Sequence, residues 1–393
     1  MKKILIILFF ILVSVLIIYI ILKDTKKKIN FVEKRGVFIS YLDNTTTLKG
    51  YSDIEKMNNI DKIIDNLDRN NINMIILHVR AFSDAIYDSD IFPYSNTISA
   101  SEGVSDSLDV LEYYIKKSHE KDIEVHAWIN PYRIRSTSDI STISKINPAY
   151  KWLNTNNVQI DSEIYYNPAS SEVLELVIDG VKEIILNYDI DGIHYDDYFY
   201  PNDTIDLENY QEYLNKGGTL NIKEYRYQNI NKLLEETRNI IDKYNPSIKF
   251  GISPAGNIEN TMNNEYLNIK YILSDTTYLD YVMPQIYFGF LNSNKPFIDT
   301  TNDWNDLIKN DKTKLYVALA AYKIGKIDNY AGEGKNEWVN STNILAKQIL
   351  YSRTLSNYEG IALFRYEYIF NENKYKNNSI LEIANMLNLF TND

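Results

Sequence analysis

The sequence predicts a (β/α)8 barrel with long βα loops. Three observations predict it. Short apolar, β-rich runs recur along the chain, separated by roughly 30 to 65 residues. Between them lie segments with an apolar stripe at the 3.6-residue helical period. The runs are apolar on both faces, as strands of a parallel sheet covered by helices must be. Eight such runs in about 350 residues fit a closed barrel. An open doubly wound sheet would need a glycine-rich first turn, and the first run leads into YLDNTTT instead.

The N-terminal element comes first. Met1, Lys2 and Lys3 precede an uncharged apolar run from Ile4 to Leu22. At about 1.5 Å per residue it nearly spans a hydrocarbon core of roughly 30 Å. Lys23, Asp24 and Lys26 to Lys28 follow, with no small-residue cleavage site. Residues 1–28 are therefore expected to be an uncleaved signal anchor. It would be a single-pass transmembrane segment in the cell membrane, with the domain extracytoplasmic. Secretion after signal cleavage is the alternative. Lysines flank both ends, so charge bias leaves the orientation open.

The barrel is expected over residues 35–390. Its strands are read at Gly36–Tyr41, Met74–Val79, Glu124–Ile129, Gly192–Tyr195, Lys249–Ser253, Tyr281–Tyr287, Leu315–Ala321 and Gly360–Phe364. Ile60, Ile63, Ile64 and Leu67 form one stripe of a helix over Ile54–Asn70. A second helix is expected over Leu108–Lys121, with Ser107 as its cap. Leu174, Val177, Val181, Ile184 and Ile185 line one face of a helix over Val173–Tyr188. Tyr225–Tyr244 and Ile344–Leu355 read the same way.

Composition narrows the chemistry. The net charge of −12 argues against a phosphate-backbone partner, so no nucleic acid is expected. The absence of cysteine removes disulfides, thiolate metal sites and a Cys nucleophile. The 33 tyrosines suit sugar or peptide grooves as well as cores.

Barrel sites sit at the C-terminal ends of the strands. The second run leads into His78, Arg80 and Asp84. The third carries His126, Trp128 and Asn130 and then Arg133. The fourth ends DGIHYDDY, with His194, Asp196, Asp197 and Tyr198. The sixth ends with Gln285 and Tyr287, and the eighth leads into Arg365 and Glu367. Successive strand side chains point to opposite faces. That groups His78 with Arg80, His126 with Trp128 and Asn130, and His194 with Asp196 and Tyr198. If this parity faces inward, Asp196 points into the mouth, and Asp197 points away or sits on the rim. The bland readings are that the two aspartates cap the next segment and that the histidines are hydrogen-bonded core.

RGVFISY, ILHVRAFSDAIYDSDIFPYS, EVHAWINPYRI, DIDGIHYDDYFYP, GISPAGN and YVMPQIYFGF together resemble the glycosyl hydrolase-like 10 family. The resemblance implies a bacterial cell-envelope TIM barrel that hydrolyses envelope glycan, with stripped peptidoglycan strands as the candidate substrate. DGIHYD is also similar to the fourth-strand motif of the α-amylase clan, whose final Asp, the nucleophile, matches Asp196. The clan's Arg two residues earlier is His194 here. Its general acid, a Glu ending strand five, has no counterpart in GISPAGN. Ile258 and Glu259 stand where the family tends to have Trp and Arg. Glycosidases normally use two carboxyl groups. With Asp196 as the first, the candidates for the second are Asp197, Asp84 and Glu367.

Under this reading Trp128, Tyr198 and Tyr287 stack on or bind sugar. Arg80, His126, Asn130, His194 and Gln285 hydrogen-bond hydroxyl or N-acetyl groups. Arg80 and Arg133 hold the lactyl carboxylate of a muramic acid. No cofactor or metal is expected. Two other classes compete. One is a metal-dependent hydrolase with His78, His126, His194 and Asp196 as hard ligands. The other is a catalytically silent glycan-binding barrel.

Overall fold

The structure is a computed structural model that describes residues 32–105, 107–376 and 378–391. The expected anchor lies outside them. Among the described residues no helix is long and apolar enough to cross a membrane.

Eight parallel strands close into a barrel. They are β1 (Lys34–Ile39), β2 (Met74–Arg80), β3 (Glu124–Ile129), β4 (Gly192–Tyr195), β5 (Lys249–Ile252), β6 (Tyr281–Val282), β7 (Lys314–Leu319) and β8 (Tyr358–Leu363). Each pairs with the next, and β8 closes onto β1 through Lys34 opposite Gly360. All eight expected runs are strands. The sixth is shorter than expected, because Pro284 has no N–H to give to the ladder. Gln285 still bridges to Ala255 and Ala318, so the chain keeps its place in the wall.

Strand alternation divides the core in two. Outward residues such as Val37, Ile75, Val125, Ile193, Phe250 and Val317 join the stripes of the surrounding helices in one buried cluster. Inward residues Phe38, Met74, Ile76, Trp128, Tyr281, Tyr316 and Ala362 form a second cluster inside the barrel. The Asp53–Arg69 helix buries Ile60, Ile63, Ile64 and Leu67 against the first cluster. Ser52 and Glu55 close its N-terminus as a capping box, a device that contributes about 1 kcal/mol. The Val110–His119 helix is capped by Asp109 rather than Ser107. Ser107 is instead turned to Asp53, to which its hydroxyl donates.

The loop after β3 contains an element that the strand count did not anticipate. Arg133–Arg135, Val158–Ile160 and Ile164–Tyr166 form a small antiparallel sheet at the mouth of the barrel. It fixes the backbone of Arg133 opposite Tyr165.

Candidate active site

The C-terminal ends of the strands surround a cavity of about 460 Å³. Its acids are Asp196 and Asp197. Phe38, Trp128, Phe364, Tyr287 and Tyr322 supply an aromatic wall, and Arg133 and Arg365 supply charge. Phe38 meets Trp128 edge-on with ring centroids 5.4 Å apart and Phe364 at 5.5 Å.

Asp196 is buried just beyond the end of β4. Its Oδ2 accepts from the Trp128 indole N–H at 2.9 Å and from the Asn130 amide at 3.3 Å. Its Oδ1 accepts from the Tyr198 backbone N–H at 3.3 Å. Asn130 is itself fixed, because its Oδ1 accepts from the backbone N–H groups of Tyr132 and Arg133. Loss of water, and then the charge of Asp197, push Asp196 up to about 7 against the pull of these donors and of Arg133. Loss of water also raises Asp197, while a Gln285 hydrogen bond and Arg133 oppose the rise. The pair is thus adapted to hold a proton at the pH where free carboxyls are ionised. Asp197 is half-buried and lines the same cavity as Asp196. β4 ends at Tyr195, so strict alternation no longer governs where Asp197 points.

Other expected residues are placed as follows. His78 lines the cavity, stacked on Trp128 at 3.6 Å between ring centroids, and neither ring nitrogen has a hydrogen-bond partner among the described residues. Burial, Arg133 and His194 keep it neutral. Arg133 donates to Glu163 at 3.0 Å and lies 5.0 Å from the Tyr198 ring centroid. Gln285 donates to the Ser253 carbonyl at 3.0 Å.

Several expected residues are not at the cavity. A register shift in β2 sets Arg80 opposite Ile129, one of the outward residues, so Arg80 leaves the parity of His78. Its guanidinium lies 4.3 Å from the Phe92 ring centroid, against the Ser171–Asn187 helix. Gly180 of that helix makes room for it, since a Cβ there would come within 2.0 Å of Nη1. Arg80 therefore cannot hold a substrate carboxylate in this cavity. His126 and His194 lie beneath the cavity, sharing the Tyr281 hydroxyl at 2.8 and 3.0 Å. Asp84 is sealed in the second loop with Ser95, Arg135 and Glu102, where burial lifts it to about 6. Glu367 is ion-paired to Arg365 and lies 3.4 Å from Lys374. Among the described residues, no group of three or more His, Asp or Glu side chains is placed to hold a metal ion.

The profile of the family described as "Glycosyl hydrolase-like 10" matches residues 33–338. The chain belongs to the glycosyl hydrolase-like 10 family. It is 31% identical over 318 residues to glycosyl hydrolase YngK of Bacillus subtilis (strain 168), a match covering 74% of this chain and 61% of that relative. The chain thus spans about three fifths of that relative's length. It is 27% identical over 343 residues to glycosyl hydrolase DigH of Escherichia coli (strain K12), covering 79% of this chain and 75% of DigH. The PgaB (BpsB) glycoside hydrolase domain from Bordetella bronchiseptica shares the fold at 13% identity and TM-score 0.57, covering 87% of this chain and 96% of that domain. The family and both relatives carry glycosyl hydrolase names, and the structural neighbour shares the barrel fold.

Sequence reading missed two groups of residues. Ser40, Tyr41 and Leu42 line the cavity from the end of β1. Extending the inward parity of Phe38 by two residues would have found Ser40. The other is Glu265, in the loop after β5. It is buried, its Oε1 accepts from the Ala255 N–H at 3.2 Å, and its Oε2 has no hydrogen-bond partner among the described residues. Burial, then Asp197 and Asp196, hold it well above the carboxylate range. It follows β5 only after the short Ile258–Asn263 helix, so no strand-end rule reaches it.

Proposed function

We propose that this chain is a glycoside hydrolase of an extracytoplasmic glycan, the glycan strands of peptidoglycan, with Asp196 as the central catalytic carboxylate. The observation that carries the reading is Asp196 itself: a buried carboxylate at the cavity, facing three N–H donors, with a second carboxyl on the adjacent residue. Such a group stabilises the positive charge of an oxocarbenium-like transition state, and a low-dielectric setting strengthens the effect. Asp197 is the second carboxyl. Trp128, Tyr287 and Tyr198 present faces for sugar rings, His78 and Gln285 face hydroxyl or amide groups, and Arg133 takes a lactyl carboxylate. The apolar run Ile4–Leu22 anchors the domain to the outer face of the cell membrane.

The test is mass spectrometry of intact and peptide-stripped peptidoglycan after incubation with the protein and with Asp196→Asn. The substitution keeps the size and removes the charge. It should abolish cleavage, a loss on the order of 4 kcal/mol or more of barrier, while binding and fold persist. Cleavage at near-parent rates by the variant would defeat the assignment. Binding without turnover by the parent would make the barrel a glycan-binding module. Sequencing of the native N-terminus tests the anchor, and a mature start near Lys26 would defeat it.

A further inference from the structure

The arrangement of carboxyls in the cavity narrows the reaction path. A glycosidase that forms a covalent bond to its own carboxylate needs its two carboxyl groups on either side of the scissile bond. Here the acids among the described lining residues are Asp196 and Asp197, neighbours at the end of one strand. The opposite side of the cavity, from β1, β7 and β8, offers Phe38, Tyr322, Phe364 and Arg365 but no acid. Asp84 and Glu367 are committed elsewhere. Glu265 is not among the described residues that line the cavity, and its Oε2 is buried.

A second observation concerns what Asp196 touches. The indole that donates to its Oδ2 also belongs to the aromatic box formed with Phe38 and Phe364. A buried acceptor beside an apolar box matches an acetamido group: the N–H meets the carboxylate and the methyl meets the rings.

We propose that the substrate is a 2-acetamido sugar whose own acetamido oxygen is the nucleophile, with Asp196 orienting the amide and Asp197 serving as acid and base. This rests on the glycosidase reading above. The carbonyl oxygen of the acetamido group forms a bond to C1 as the C1–O glycosidic bond breaks. The amide N–H favours the ionised form of Asp196, so the proton that the pair shares sits on Asp197 and passes to the leaving oxygen. The Asp196 carboxylate accepts the amide N–H and offsets the positive charge of the resulting oxazolinium ring. Water then gives a proton to Asp197 and attacks C1. The ring opens, the acetamide is restored, and the product keeps the anomeric configuration of the substrate.

The experiment compares N-acetylated glycan strands with the same strands after chemical de-N-acetylation, using product mass and anomeric NMR. It adds the 1,2-fused thiazoline of N-acetylglucosamine as an inhibitor. The expected result is retention, competitive inhibition by the thiazoline, and at least a 100-fold lower rate on the de-N-acetylated strands. Equal rates on both strands, inversion, or a glycosyl group trapped on Asp196 by a 2-fluoro sugar would overturn the proposal and leave the glycosidase reading standing. Loss of cleavage in Glu265→Gln at parent stability, with retention of glycan binding, would also overturn it by making Glu265 the opposing acid. Failure to cleave either glycan would overturn both readings.

Discussion

The indole N–H of Trp128 donates to Asp196 at 2.9 Å while the same ring is stacked on His78 at 3.6 Å, nearly parallel. One side chain therefore orients the central carboxylate and is itself held by a neighbouring strand. Trp128→Phe keeps an aromatic ring for His78 and removes the donor. A hydrogen bond to a charged group is worth about 1.5–3 kcal/mol. The expected outcome is a fall in kcat of about 10- to 150-fold with little change in melting temperature. Turnover of glycan strands by the two proteins checks it, and an unchanged kcat would show that the contact does not act in the reaction.

Asp84 gives a pH signature separate from the cavity. Burial raises it from 3.8 to about 6 in the folded protein. The folded state then binds more protons than the unfolded state between these values, so its contribution to stability is present below the unfolded value and lost as pH rises to about 6. Asp84→Asn cannot ionise. Between pH 4 and 7 the variant should gain on the parent by up to about 3 kcal/mol. Denaturant unfolding at the two pH values measures the difference. A constant difference would show that Asp84 is ionised normally, and loss of turnover in the variant at matched stability would return it to the catalytic candidates.

Tyr281 tests where the barrel histidines belong. Its hydroxyl serves both His126 and His194 below the cavity. Tyr281→Phe should leave both Nδ1 atoms buried without that partner, at about 1–3 kcal/mol each. Lower stability with an unchanged KM is expected. A raised KM at temperatures well below melting would mean that these histidines reach substrate after all.

The fold was legible because each barrel strand carries its own apolar run, and alternation along β1, β3 and β4 sorts inward from outward residues. Trp128 and Asp196 share that inward parity, and they touch. Two physical facts hid the rest. Alternation predicts direction only while the strand lasts. Arg80 leaves it at a register shift in β2, and Asp197 lies beyond the last residue of β4. Loop residues are also positioned by contacts distant in sequence. Glu265 is next to Tyr266, whose φ of 49° lies in the left-handed region that β-strand and helix patterns do not anticipate.

Those distant contacts converge on Arg226, which ties the loop after β4 to the loop after β5. It binds Asp206 in a two-point ion pair at 2.8 and 2.9 Å, with both side chains buried. Asp206 also accepts from the Tyr200 hydroxyl at 2.7 Å, four residues beyond Asp196. Arg226 donates to the Tyr266 hydroxyl at 2.7 Å, next to Glu265. The clamp thus places Asp197 and Glu265 within electrostatic reach of each other. Arg226→Ala leaves a buried, unpaired Asp206 and should destabilise the protein by about 3–5 kcal/mol. Replacing the pair by Arg226→Met with Asp206→Leu removes both charges and should recover most of that stability. It does not restore the bonds to Tyr200 and Tyr266, so turnover should stay below the parent's. Denaturant unfolding and turnover of both variants, well below their melting temperatures, separate the two effects. Full turnover in the double variant would show that the clamp only stabilises the fold and does not position the site.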